Sequence, residues 1–155
     1  MKKVSIKVMR WKLFLLGFFK IPMIHFVRPK LMSVDDYNMV IKIPFRRRTR
    51  NHLNSMYFGA LAVGADLAAG LHVYYISERL NSTLSLAFKS TSGQFLKRPE
   101  SDVFFHCQSG EYIMKEIQLA KKTNERINFP VTIIAYNNEN EEVAKFEMEV
   151  SIRVK

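Results

Sequence analysis

Between Met56 and Ile76 the only strongly polar side chains are Asp66 and His72. Asn54 or Ser55 can accept a hydrogen bond from the first free backbone N–H groups, so the pattern predicts one helix, about 30 Å long at 1.5 Å per residue. A helix apolar nearly all round has to be enclosed by other elements. Gly59, Gly64 and Gly70 lie within it. Each costs about 1 kcal/mol relative to Ala in a helix interior, so close backbone packing, such as a tightly wrapped sheet, must compensate. At 100° per residue, Tyr57, Leu61, Gly64, Ala68, Leu71 and Tyr75 form one stripe. Gly59, Ala62, Asp66, Gly70 and Val73 form the opposite one, which sets the Asp66 carboxylate on a narrow, small-residue groove.

The remaining elements are mostly strands. Tyr37 to Pro44 is rich in β-branched residues and closed by proline, and Leu84, Leu86 and Phe88 alternate within Thr83 to Lys89. Val103 to Cys107 is a short apolar run. Ile113, Ile117 and Ala120 recur at helical spacing within Glu111 to Lys122. Ile127, Phe129, Val131, Ile133 and Ala135 alternate, as do Ala144, Phe146, Met148, Val150, Ile152 and Val154, separated by the polar turn Asn137 to Glu142. The predicted order is helix, strand, long buried helix, two strands, short helix, two strands. A chain of 155 residues with 48% apolar and 25% charged residues suits one globular fold. We divide it into an arm at 1–34 and a domain at 35–155.

Charge is distributed unevenly. Residues 1–50 carry thirteen Lys and Arg against Asp35 and Asp36, whereas the other 105 residues carry eleven against twelve acids. A basic reading surface for nucleic acid would extend along the domain, so no nucleic-acid partner is expected. In the arm, Lys2, Lys3, Lys7, Arg10 and Lys12 precede an apolar run from Leu13 to Phe19. No small-residue cleavage site follows, and Lys20, His25, Arg28 and Lys30 interrupt the apolar stretch, against both a signal peptide and a spanning helix. Two readings stay open: a helix docked on the protein's own core or a dimer partner, and a basic amphipathic helix making peripheral contact with anionic lipid through residues 1–30. Pro22 should end or kink the first helix, and Pro29 should leave an irregular connector. The run Phe45 to Arg50 is either a solvated loop or a rim that attracts phosphate, with Arg47 and Arg48 as its contacts.

The single cysteine, Cys107, permits neither an internal disulfide nor a multi-cysteine metal site; we expect it to be inert packing in a reducing cytoplasm. His25, His72 and His106 are too scattered to suggest a metal site, and the chain shows neither a catalytic triad nor a Gly-rich phosphate loop. No metal or cofactor is therefore expected. His52 is an outside candidate for acid or base work.

The stretch Asn51 to Ala60, followed by Gly64-Ala65-Asp66, resembles a branch of the hot-dog thioesterase superfamily catalogued as a domain of unknown function. Phe95-Leu96-Lys97-Arg98-Pro99 is similar to the turn after the second strand in many of those proteins. The likeness covers about residues 35–155 and implies an α+β hot-dog fold, an antiparallel sheet around a long central helix, here with an extra N-terminal helix. Phenylacetate-pathway thioesterases of this superfamily place an Asn before the helix, His-Gly-Gly at its start and an Asp on it, fifteen residues after the Asn. Asn51, Gly59 and Asp66 match those positions at the same interval, while Tyr57 and Phe58 replace the His and first Gly. The resemblance implies an acyl-CoA or acyl-carrier thioester substrate, and a homodimer or tetramer with its sites between subunits.

Thioester hydrolysis needs a base or nucleophile at the carbonyl carbon and donors where the oxyanion forms. Asp66 can activate water or attack directly, free N–H groups near Phe58 and Gly59 can hold the oxygen, and Asn51 can orient either one. Tyr57 and Phe58 are the adjacent substrate contacts. Two alternatives accompany this reading: a structural Asp66 paired with a neighbouring donor, and a non-catalytic acyl or lipid binder.

Overall fold

A computed structural model describes residues 1–155. Ser5 caps α1 (Ile6–Leu15) by accepting the Val8 N–H, and the helix runs into a π-helical turn over Leu16–Lys20. Pro22 opens α2 (Pro22–Val27) at its first position, where a missing N–H breaks no helical bond. Pro22 thus separates two helices, as expected of a breaker. Past Pro29 the chain forms a strand, β1 (Lys30–Val34), where the sequence suggested an irregular connector. Only Leu31 of this strand is buried, and a bulge after it breaks the register with its neighbour, so no alternation was available to reveal it.

The body consists of β2 (Met39–Ile43), α3 (Phe58–Arg79), β3 (Leu84–Phe95), β4 (Val103–Cys107), α4 (Gly110–Thr123), β5 (Ile127–Tyr136) and β6 (Glu142–Val154). All six strands belong to one sheet in the order β1-β2-β4-β5-β6-β3, every neighbouring pair antiparallel. The sheet curls around α3, the hot-dog arrangement implied by the resemblance. Ile113, Ile117 and Ala120 of α4 are fully buried in the same core. So are Met9 and Leu13 of α1 and Ile24 and Val27 of α2, so one side of the arm docks on the domain.

Leu61, Gly64, Ala68, Leu71 and Tyr75 of α3 are buried as the stripe predicted, whereas Tyr57 is exposed. Gly64 is the point of closest approach to the sheet. Any Cβ there would overlap the Phe105 ring of β4.

Two boundaries differ from expectation. Tyr57, with no side-chain cap, precedes α3, because Asn54 and Ser55 are committed to the loop before it. Asn54 takes a left-handed backbone, φ 58°, and Ser55 donates to Asn51 through both N–H and hydroxyl. Strand β3 runs six residues beyond Lys89 because β6 pairs with it throughout. Those six residues are exposed, so they carry no period-two signal.

Candidate active site

Two clefts flank α3. The smaller, ≈ 480 Å³, lies at the helix start between Asn51, His52, Tyr57, Phe58 and the Phe95–Pro99 turn. Met56 N–H donates to the Pro99 carbonyl at 2.8 Å and Tyr57 N–H to the Thr49 carbonyl at 2.8 Å, which fixes the chain entering α3. The Asn51 side-chain oxygen accepts from Leu53 N–H at 2.9 Å, Ser55 N–H at 3.1 Å and the Ser55 hydroxyl at 3.2 Å. That oxygen is saturated, which leaves the Asn51 NH2 as the group able to bond a ligand. It suits a carbonyl oxygen better than it suits a water proton.

In the first turn of α3, Ala60 and Leu61 N–H both donate to the Tyr57 carbonyl, whereas Phe58 and Gly59 N–H bond nothing in the chain. They sit at the positive end of a 22-residue helix. The Tyr57 ring lies across Gly59 so closely that a side chain there would overlap it, and it packs against Phe58 at 4.8 Å between centroids. Gly59 is thus fixed by its own neighbour.

The larger cleft, ≈ 850 Å³, holds Asp66 with Leu67, Gly70 and Tyr74 of α3 and Phe88 of β3. Its remaining wall is the arm: Leu15, Leu16, Phe19 and Ile21 close it from outside. The groove predicted around Asp66 is therefore wider and more apolar than the helix stripe alone suggested. No hydrogen bond or charge within the chain offsets the burial of Asp66, which raises its carboxyl above the usual range. The paired, structural carboxylate has no partner here.

Asn51, Gly59, Tyr57 and Phe58 are brought together; Asp66 is not with them. Seven positions of helix separate Gly59 from Asp66, about 10 Å along the axis. Asn51, Tyr57 and Phe58 line the smaller cleft and Asp66 the larger, and Gly59 lies between Phe58 and the helix interior without lining either. Arg47 and Arg48, in a 3₁₀ turn at Arg47–Thr49, line neither cleft. Arg48 donates to the Phe26 carbonyl at 3.2 Å and lies over the Phe26 ring at 5.3 Å, tied to α2. Arg47 is exposed.

Sequence reasoning missed the arm's part in the Asp66 cleft, since only the tertiary fold brings Phe19 to α3. It also missed a buried pair. His72 Nε2 lies 3.1 Å from the Asp35 carbonyl and Nδ1 3.3 Å from Cys107 Sγ. No three His, Cys, Asp or Glu side chains lie close enough to hold a metal ion.

The family model described as "Domain of unknown function (DUF4442)" matches residues 10–154. No curated protein matches the chain. Among solved structures, a Pseudomonas aeruginosa protein of unknown function aligns over 98% of this chain and 97% of its own at 17% identity, with a TM-score of 0.79. A Haemophilus influenzae thioesterase aligns over 99% and 93% at 11% identity, TM-score 0.70. The E. coli PaaI protein from the phenylacetic acid degradation operon aligns over 97% of both chains at 15% identity, TM-score 0.64. At such identities the likeness establishes the hot-dog fold alone.

Proposed function

This chain belongs to the DUF4442 family, and from that premise we propose that it hydrolyses an acyl-CoA or acyl-carrier thioester at a site completed by a second copy of itself. The observation that carries the reading is Asp66, a half-buried carboxylate without a partner on an apolar cleft of ≈ 850 Å³. An acyl chain suits the apolar walls, and a carboxylate whose pKa burial raises is a better proton acceptor than a solvated one.

In this scheme Asp66 takes a proton from water as the oxygen attacks the thioester carbonyl carbon. Negative charge moves onto the carbonyl oxygen, where Phe58 and Gly59 N–H and the Asn51 NH2 can stabilise it. The intermediate collapses to a carboxylic acid, and the thiolate leaves with the proton held by Asp66. Asp66 and those donors are apart within one chain, so they meet only if each comes from a different subunit.

Strand β3 supports the second copy. It ends the sheet, pairs only with β6 and leaves a twelve-residue outer edge unpaired. A two-fold contact along that edge would join two sheets. Light scattering at micromolar concentration should give the mass of a dimer or tetramer, and a folded monomer would refute the composite site.

One observation favours a second reading, a non-catalytic acyl or lipid binder: the Tyr57 ring lies across Gly59, beside the proposed donors. Release of free thiol from a panel of acyl-CoAs separates the two. Hydrolysis of at least one member supports the enzyme; saturable binding without thiol release supports the binder.

A further inference from the structure

The arm has two apolar faces, and only one of them is used. Met9, Leu13, Ile24 and Val27 are buried in the core, whereas Trp11, Phe14, Phe18 and Phe19 are 60%, 46%, 53% and 69% exposed. Their spacing puts the first three on one helical stripe. The rings form a ladder: Trp11 stacks on Phe14 at 5.6 Å, Phe14 on Phe18 at 5.7 Å, and Phe18 meets Phe19 edge-on at 4.9 Å. Contiguous aromatic surface of this kind marks an interaction site.

The charge beside the ladder has one sign. Residues 1–34 contain eight Lys and Arg and no acid, and only Lys12 is ion-paired, with Glu78. A cleft of ≈ 620 Å³ next to the ladder is lined by Arg10, His25, Arg28 and Lys30, with Phe14 in its wall. Arg10 is held in place there by its Nε–H bond to the Leu31 carbonyl, 2.9 Å.

We propose that the arm is a docking surface for an anionic phospholipid bilayer. The aromatic ladder enters the boundary between headgroups and acyl chains, and the cations of the adjacent cleft face lipid phosphates. Charge decides against a second copy as the occupant. Two arms meeting by two-fold symmetry would set eight cations against eight with no acid in either arm. Docking would also carry the mouth of the Asp66 cleft to the bilayer, because exposed Phe19, Lys20 and Ile21 line that cleft too. This last consequence rests on the hydrolase reading; the docking does not.

Trp11 is the only tryptophan in the chain, so its emission reports on the arm alone. With the full-length protein, phosphatidylcholine vesicles containing phosphatidylserine should shift that emission to the blue and sediment the protein. Brominated acyl chains should quench it, and pure phosphatidylcholine should bind several-fold less. Replacing the exposed pair, Phe18→Ser with Phe19→Ser, should leave the melting temperature unchanged and weaken vesicle binding roughly tenfold or more. Arg28→Gln with Lys30→Gln should do the same by removing two cations. Protein that stays in the supernatant with unshifted Trp11 emission at low salt would overturn the proposal. So would a blue shift that grows with protein concentration without lipid, which would assign the face to a second copy, or binding to an oligonucleotide but not to vesicles. None of these readouts involves a thioester, so failure here leaves the hydrolase reading intact, and the converse holds.

Discussion

Asp66 and His72 are the two strongly polar side chains in the apolar stretch of α3 up to Ile76, six residues apart, and their surroundings are opposite. His72 is fully buried and satisfied at both ring nitrogens. Burial lowers its pKa to about 4, so the ring is neutral near pH 7. Burial pushes the Cys107 thiol up to about 11, so the sulfur keeps its proton. Nε2–H then donates to the Asp35 carbonyl and Nδ1 accepts the Cys107 S–H, ordinary completion of a buried polar group. Asp66 has no such partner, and its carboxyl faces a cleft. A polar residue kept in a core for stability is normally paired, so the unpaired one is the better candidate for chemistry.

His72 should give the largest effect on stability. Its native pKa lies below the unfolded value of 6.5, so its contribution to stability is complete above pH 6.5 and is lost as pH falls toward 4. Roughly 3 kcal/mol should disappear over that range, at about 1.4 kcal/mol per pH unit. Urea unfolding at a series of pH values should show the loss in wild type and a much flatter profile in His72→Leu; equal profiles would remove His72 from the account. At pH 7 the same variant should be about 2 kcal/mol less stable, because the Asp35 carbonyl loses its donor.

Asp66→Asn should act in the other direction. A native carboxyl pKa above the unfolded value means that the ionised form weighs against folding at neutral pH. The variant should melt at or slightly above wild type at pH 7. That gap should shrink as pH falls through the raised native value and vanish below the unfolded value of 3.8, where native and unfolded wild type are both protonated. A clearly lower melting temperature at pH 7 would make Asp66 structural after all.

The same distinction applies at the surface on a smaller scale. Arg48 is held by Phe26 and Arg47 is exposed. If the basic run attracts CoA phosphates, Arg47→Gln should weaken CoA binding a few-fold at low salt, an effect that fades as salt screens exposed charges beyond about 10 Å at 0.1 M. Arg48→Gln should mainly loosen α2. Unchanged CoA affinity in both would leave the run to solvation or lipid.

Helix α3 and strands β5 and β6 were legible in the sequence because the helix is apolar nearly all round and apolar residues recur at every second position of the strands. Burial follows that alternation in β5, while in β6 it also takes in Val143 and Ser151. Strand β1 and the outer half of β3 were not, since one has a single buried side chain and the other has none beyond Phe88. The Asn51 to Asp66 interval came through resemblance, and the structure adds that Asn51 spends its oxygen on its own loop. The His72–Cys107 contact joins residues 35 positions apart across the core, and the arm's wall of the Asp66 cleft joins residues farther still. Neither leaves a local periodic trace. The basic arm was visible as charge, but only the packed structure separates its docked face from its exposed one.

Single-turnover hydrolysis by Asp66→Asn, on an acyl-CoA that wild type cleaves and beside a melting curve of the same preparation, tests the central claim. Asn keeps the volume and hydrogen-bonding capacity of Asp but cannot take a proton. The account predicts a rate lower by about 10² or more, acyl-CoA affinity within a few fold and no loss of thermal stability. A stable Asp66→Asn protein that turns over at the wild-type rate would contradict it.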